Sequence, residues 1–279
     1  MKNNISHTVA FFPILQALRE LNAAGVADSF IGNTPEHDSL LSMLPLIDGF
    51  RPFPEEQLKT FIAKDVERIN AFLKSRVFDI QLSAPLDLGI VVIMDLLGTW
   101  MKPGNEATIT RNNQPYPAVR LEDCTVLQTS DHGQIIRIET KEGFTVHIQP
   151  HAEERSGNLL FEHIIKVQSA NTTNNESCTV TVPLVLMNEQ PDVSWVAGIQ
   201  TVGSDPLTIT QVLQQNKLAL TTNGIRAQSA VAMALRKGIS MDKRIIINEP
   251  FNLWITHKNQ VLPLFGAYIA PDTWKNPEA

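Results

Sequence analysis

The chain has 279 residues, of which 43% are hydrophobic and 19% charged, with a formal net charge of −6. That is enough apolar material for one large core or two small ones. The 23 basic residues are spread thinly, with no Lys/Arg stripe interleaved with aromatics, which argues against a nucleic-acid partner. No stretch reaches transmembrane length, so no membrane partner is expected.

The opening residues Met1 to His7 carry one lysine and no apolar run of signal-peptide length. The expected compartment is therefore the cytoplasm, or the extracellular space if a leader has been removed. Ile14 to Ala24 is apolar at helical spacing, with Gly25 placed to cap it. Glu55 to Arg76 reads as one or two helices with Leu58, Ile62, Val66, Ile69, Phe72 and Leu73 on one face. Leu88 to Leu97 is a near-continuous apolar run, the pattern of a strand in the centre of a sheet covered on both sides. Alternating strands are then predicted near Val119 to Gln128, Gln134 to Thr140, Phe144 to Pro150, His163 to Ala170 and Thr179 to Leu186. Asp131-His132-Gly133 and Lys141-Glu142-Gly143 are polar turns between them. Helices first and strands later indicate an α+β fold, with strands from the two ends interleaved in shared sheets. There are no repeats and no low-complexity linker.

Chemistry-bearing motifs are sparse. The chain lacks Gly-x-Gly-x-x-Gly, a Walker loop, Gly-x-Ser-x-Gly, His-Glu-x-x-His and Cys-x-x-Cys, so neither an enzyme nor a cofactor is expected. His147 and His151, with Glu153 and Glu154 nearby, have metal-like spacing, but Pro150 breaks any helix that would align them; they read as surface loop histidines. Cys124 and Cys178 lie far apart in sequence and read as buried thiols, not a disulfide framework. Asn171-Thr172-Thr173 and Asn175-Glu176-Ser177 fit the glycosylation acceptor pattern within what reads as a polar loop. Trp100, Trp195, Trp254 and Trp274 are expected to be packing residues.

The most informative stretch runs from Gly224 to Ser240. It opens with a glycine able to take positive φ and continues through small residues, too plain to build a core of its own. Every second residue from Ile225 places Ile225, Ala227, Ser229 and Val231 on one face and Arg226, Gln228 and Ala230 on the other, the alternation of a strand. An Ala-rich helix from Ala227 to Lys237 fits the same residues on propensity. An apolar strand follows, opening at Pro250-Phe251.

This order of features resembles the serpins, whose reactive-centre loop has a hinge glycine, a run of small residues, a scissile bond, and then a Pro-Phe strand ending in a Phe-Gly turn. The matching residues are Gly224, Ala227 to Ala234, Pro250-Phe251, Ile255, Leu264-Phe265-Gly266 and Pro271. Upstream, Phe12-Pro13, Ile69-Asn70-Ala71-Phe72, Gly98-Thr99-Trp100, Val180 to Leu184 and Gly198-Ile199 resemble further family motifs in the same order. The resemblance implies a single serpin-like domain over 1–279, helix-rich over 1–80 and sheet-rich over 81–279, with an exposed loop over 222–245. N-terminal helices would pack on large mixed or antiparallel sheets, and Trp100, Pro250 and Phe251 would be structural.

The function the resemblance implies is mechanical inhibition of a serine protease. The protease would acylate itself on the loop, and the cut loop would insert into the central sheet before hydrolysis. The hinge would be Gly224, Ile225, Arg226, Ala227, Gln228, Ser229 and Ala230. Counting from the hinge puts the scissile bond at Gly238-Ile239, and counting back from Pro250-Phe251 puts it at Ile239-Ser240. A trypsin-like protease would choose Arg236 or Lys237, so both trypsin-like and elastase-like targets stay open.

Several positions depart from the family pattern. Phe12, Val92 and Gln214 replace a polar latch, Thr222 replaces a glutamate before the hinge, and Ile225-Arg226 follow the glycine. The chain is short where the family places edge strands, between Gly49 and Asp65, and an unpaired edge there would favour self-association. The alternative reading is a non-inhibitory serpin-like binding or scaffold protein whose loop is only a protease substrate.

Overall fold

A computed structural model describes residues 5–48, 57–85, 87–225, 243–258 and 262–277. In chain order its elements begin with β1 (His7–Val9), α1 (Phe11–Ala23), β2 (Ser29–Ile31), α2 (Pro35–Ser42) and α3 (Leu44–Asp48). There follow β3 (Leu58–Ala63), α4 (Val66–Ser75), β4 (Gly89–Met94), β5 (Gly98–Thr99), β6 (Asn105–Arg111), β7 (Gln114–Thr129), β8 (Gly133–Glu139) and β9 (Phe144–Pro150). The rest are α5 (Gly157–Gln168), β10 (Thr172–Pro183), β11 (Val185–Glu189), β12 (Gln200–Val202), β13 (Asn216–Leu220), β14 (Gly224–Ile225), β15 (Lys243–Ile246), β16 (Phe251–His257) and β17 (Phe265–Ile269).

Helix α1 follows its apolar spacing: Phe11, Phe12, Leu15 and Leu18 are all buried, each contributing about 1.5–3 kcal/mol by transfer from water. Beyond its last turn Gly25 takes φ +70, the left-handed position at which a helix stops. The helix packs into the main core beside a nine-stranded sheet of order β1-β17-β16-β9-β8-β7-β10-β15, with β6 also on β7. β15 runs parallel to β10 and the other pairs are antiparallel, so the sheet is mixed. The expected interleaving is present, since β1 from one end of the chain pairs with β17 from the other.

Several sequence readings need correction. Leu58 to Ala63 is a strand, not helix: Thr60, Phe61 and Ile62 favour extended backbone, and the segment pairs with β4 from Leu58↔Met94 to Ala63↔Gly89. An edge strand is therefore kept where the shortened chain was expected to lack one. Only then does Asp65 start α4, its carboxylate accepting the Glu67 and Arg68 amides at 2.9 and 3.3 Å. His163 to Ala170 falls in helix α5, because the buried residues Leu160, Phe161, Ile164 and Val167 repeat at helical spacing that a window starting at His163 cuts short. Thr179 to Leu186 is two strands: Leu184 turns between β10 and β11, which lie in different sheets. The acceptor-like tripeptide at Asn175 lies within β10, paired to Leu127, and not in a loop.

A second, smaller cluster joins Ile69 and Leu73 of α4 to Val91 and Ile93 of β4. The opposite face of β4 meets α1, and Met94 packs on the main core, so this strand has the two-sided cover that its apolar run predicts. Helix α4 ends with the Val77 amide on the Lys74 carbonyl at 3.0 Å and the Phe78 amide on the Leu73 carbonyl at 3.1 Å. That is the Schellman pattern, yet its left-handed position holds Val77 at φ 62, with the residue 74% exposed. A β-branched residue is strained there, and its side chain gains little burial in return. Val77→Gly is expected to raise stability by about 1 kcal/mol, after allowing for the backbone entropy of glycine, in urea unfolding. An unchanged or lower midpoint would show that the left-handed turn carries no strain.

Candidate functional site

The predicted hinge begins inside a sheet. β14 lies between β13 and β5 in a four-stranded sheet of order β11-β13-β14-β5, with Ile225 opposite Leu220 on one side and Gly98 on the other. Thr221 forms the turn into β14: its hydroxyl accepts the Asn223 and Gly224 amides at 3.2 Å each and donates to the Gly224 carbonyl at 3.1 Å. Trp100, 1% exposed, donates its indole N–H to the Thr221 carbonyl at 3.1 Å and its backbone amide to the Asn223 carbonyl at 3.1 Å. The Gly98-Thr99-Trp100 motif thus docks the turn that leads into β14.

Gly224 is required for a different reason from the one its sequence context suggests. It does not adopt positive φ. A Cβ at this position would lie 2.2 Å from the Gly98 carbonyl oxygen and 3.1 Å from Thr99 Cα, so the glycine permits β14 to approach β5. Ile225, the buried residue that follows, is 2% exposed. Arg226, Ala227, Gln228, Ser229 and Ala230 of the hinge, and the scissile-bond candidates Arg236, Lys237, Gly238, Ile239 and Ser240, lie outside the described residues.

Beyond β14 the strand array is open. Among the described residues β4 pairs with β3 alone, and β13 pairs along its length only with β11. Between their facing edges lies a mainly apolar cavity of about 260 Å³. Its lining includes Pro13, Ile14, Leu18 and Leu21 of α1, residues 88–96, residues 207–218, and Ile225.

Side chains that the sequence did not single out tie across this opening. The amide of Gln215 accepts the Asp79 N–H at 2.7 Å and donates to the Asp79 carboxylate at 3.0 Å. Gln211 accepts the Ser83 N–H at 2.9 Å and donates to its hydroxyl at 2.7 Å, and Lys217 bonds the Val77 carbonyl. Gln211, Gln215 and Lys217 share the parity of one strand face, the only sequence signal that could have linked them. They strap the connection after α4 onto the β13 side. Of the three positions that the sequence aligned with a polar latch, Phe12 is buried and Val92 lines the cavity, while Gln214 is polar and donates to the Ala10 carbonyl at 2.6 Å. Two of the three are apolar, and the third ties this segment to the start of α1.

Pro250, Phe251, the four tryptophans, His147 and His151 do not line this cavity. Phe251 is fully buried at the start of β16, with the Pro250 carbonyl accepting the Ala152 amide at 2.9 Å. Trp254 and Trp274 are buried like Trp100, and Trp195 packs edge-on against Phe11 at 5.6 Å. His151 is exposed, but His147 is not a loop residue: it stands in β9, stacked on Trp254 at 5.0 Å and bonded through Nε2 to Thr256 at 2.9 Å. Among the described residues no three His, Cys, Asp or Glu side chains are grouped to hold a metal. No helix among them is long and apolar enough to cross a membrane.

No family model and no curated protein matches this sequence. Solved structures do. A serpin of the insect Tenebrio molitor, described as highly specific, aligns at TM-score 0.61 and 14% identity over 96% of this chain and 92% of its own. Thyroxine-binding globulin in complex with thyroxine aligns at 0.60 and 11%, over 97% and 93%. A serpin from Schistosoma mansoni aligns at 0.60 and 12%, over 95% of each chain. The chain has the serpin fold.

Two outcomes follow from this geometry. Gly224→Ala is expected to cost about 1–3 kcal/mol in urea unfolding by forcing β14 away from β5, whereas a neutral result would mean that the approach is looser than described. Burial, with Arg137 as the second cause, lowers the pKa of His147 from 6.5 to about 3, so the folded state keeps it neutral while the unfolded chain protonates. Stability is then fully present above pH 6.5 and falls as the pH drops toward 3. His147→Gln should flatten that fall. An unchanged slope would place the acid sensitivity elsewhere.

Proposed function

We propose that this chain is a serpin-type inhibitor of serine proteases, acting by cleavage within 236–240 and insertion of the segment after Ile225 between β4 and β13. The supporting observation is the opening itself, with Gly224 and Ile225 at one end of it. β14 is antiparallel to both β13 and β5, so continuing its register carries the chain between two edges that no other described strand pairs. In the inserted state Ala227, Ser229 and Val231 would stand opposite Leu96, Met94 and Val92 on one side and Leu218, Asn216 and Gln214 on the other. Ala230 and Ala232 would fall beside Ile93 and Val91 under α4, where small side chains fit. Roughly ten ladder hydrogen bonds, at about 1 kcal/mol net each, would make insertion favourable by on the order of ten kcal/mol.

In this mechanism the chain supplies no catalytic group. The target's serine attacks the scissile carbonyl, the peptide C–N bond breaks, and the new amino terminus leaves with the proton carried by the target's own base. The ester joins the target to the end of the segment that moves. Insertion carries the protease away before water completes the cycle.

The second reading is a serpin-like binding or scaffold protein that is merely cut. The straps from Gln211, Gln215 and Lys217 favour it, because they resist widening of the opening. Incubation with trypsin and with elastase separates the two. Inhibition requires a covalent complex stable to boiling in detergent, with matching loss of protease activity. A chain cut between Arg236 and Ser240 beside fully active protease would establish the substrate reading instead.

A further inference from the structure

Cys124 and Cys178, the two cysteines of the chain, are separated in sequence but stand directly opposite one another, Cys124 in β7 and Cys178 in β10. Both are buried thiols, 1% and 0% exposed. Opposed residues of an antiparallel pair have Cα atoms about 4.5 or about 5.5 Å apart, depending on whether they are hydrogen-bonded to each other. Both spacings lie within the range of about 4.4–6.8 Å that a disulfide spans. Opposed residues also project from the same face of the sheet, so the two sulfurs are neighbours. The raised pKa of Cys124, about 12, has burial as its first cause and the charge of Cys178 as its second, as that proximity requires.

The surrounding backbone is irregular in a way that favours access. The register between the two strands shifts just beyond the pair, between Cys178 and Val180, and Asp123, next to Cys124, has φ 57. On its far side Cys178 is paired with Lys243 of β15, a four-residue strand at the edge of the sheet. A short edge strand opens more readily than a central one.

We propose that Cys124 and Cys178 form an intrachain disulfide by exchange with a low-molecular-weight disulfide, cross-linking β7 to the strand that carries β15. One protein thiolate attacks the reagent's S–S bond, giving a mixed disulfide and releasing one small thiolate. The second protein thiolate attacks the protein sulfur of that mixed disulfide, giving the cross-link and releasing the other. The reagent takes up two electrons and leaves as two thiols, with the protons supplied by the two cysteines. Exchange proceeds from transiently opened molecules, because the folded state shields both sulfurs and holds Cys124 protonated. The cross-link then fixes β10, the strand on which the first described residues after the loop are hung.

The test uses the whole chain with oxidised glutathione, in buffer and in urea below the unfolding midpoint, followed by intact mass, non-reducing peptide mapping and thermal melting. The expected product is a monomer lighter by two hydrogens, with a peptide joining Cys124 to Cys178. It should form faster in urea and melt higher by roughly 5–10 °C, the shift for closing a loop of about this length in a domain of this size. Cys124→Ala and Cys178→Ala should each yield only a single glutathione adduct. The proposal is overturned by wild-type chains that carry glutathione adducts without the internal cross-link, by disulfide-linked dimers, by thiols that stay unreacted in urea, or by a cross-link that leaves the melting temperature unchanged.

Discussion

Backbone amides and carbonyls along a strand edge must find partners, and among the described residues two such edges face each other without meeting. β4 is paired on one side by β3, β13 on one side by β11, and a cavity of about 260 Å³ separates what remains. A sheet in that condition holds hydrogen-bonding capacity in reserve. The elements around it can be understood by what they do to the opening: α1 lies beneath it, α4 covers the adjoining strand, and β14 closes one end.

The two ends of the opening are held differently. At β14 the closure is by backbone approach, which depends on Gly224 lying against Gly98 and on Trp100 gripping the turn at Thr221. Along its length the closure is by side chains, through the amides of Gln211 and Gln215 and the ammonium of Lys217. Backbone pairing of this kind is hard to exchange without moving a whole strand, whereas partly exposed side-chain bonds are worth about 1 kcal/mol each and re-form with water. A strand advancing from Ile225 would therefore work against the weaker set. Phe12 and Val92 near it are apolar, so neither side chain contributes a polar bond that opening would have to break.

Much of this was legible in the sequence wherever the pattern was long and one-sided. The apolar face of α1, the continuous run that became β4, and the alternating strands from β7 to β9 all read directly. Gly98-Thr99-Trp100 and Gly224 stand out in the sequence and meet in the structure, though the glycine serves close packing and not positive φ. The failures have local causes. Leu58 to Ala63 and the following helix share apolar residues close enough to mimic one helical face, and Asp65 marks the boundary only once its capping bonds are seen. α5 was hidden because Ile164, Ile165 and Val167 favour strands in isolation. The straps were invisible because their partners at Asp79 and Ser83 are more than a hundred residues away, and polar residues on both faces from Gln211 to Lys217 conceal the period.

The most direct measurement is hydrogen exchange across Gly89–Met94 and Asn216–Leu220 before and after the chain is nicked between Arg236 and Ser240, with thermal melting alongside. If the opening receives the cut segment, amides facing it gain protection by orders of magnitude and the melting temperature rises steeply. If both strands exchange as before and the nicked chain melts with the intact one, the opening is not a receptor for the loop.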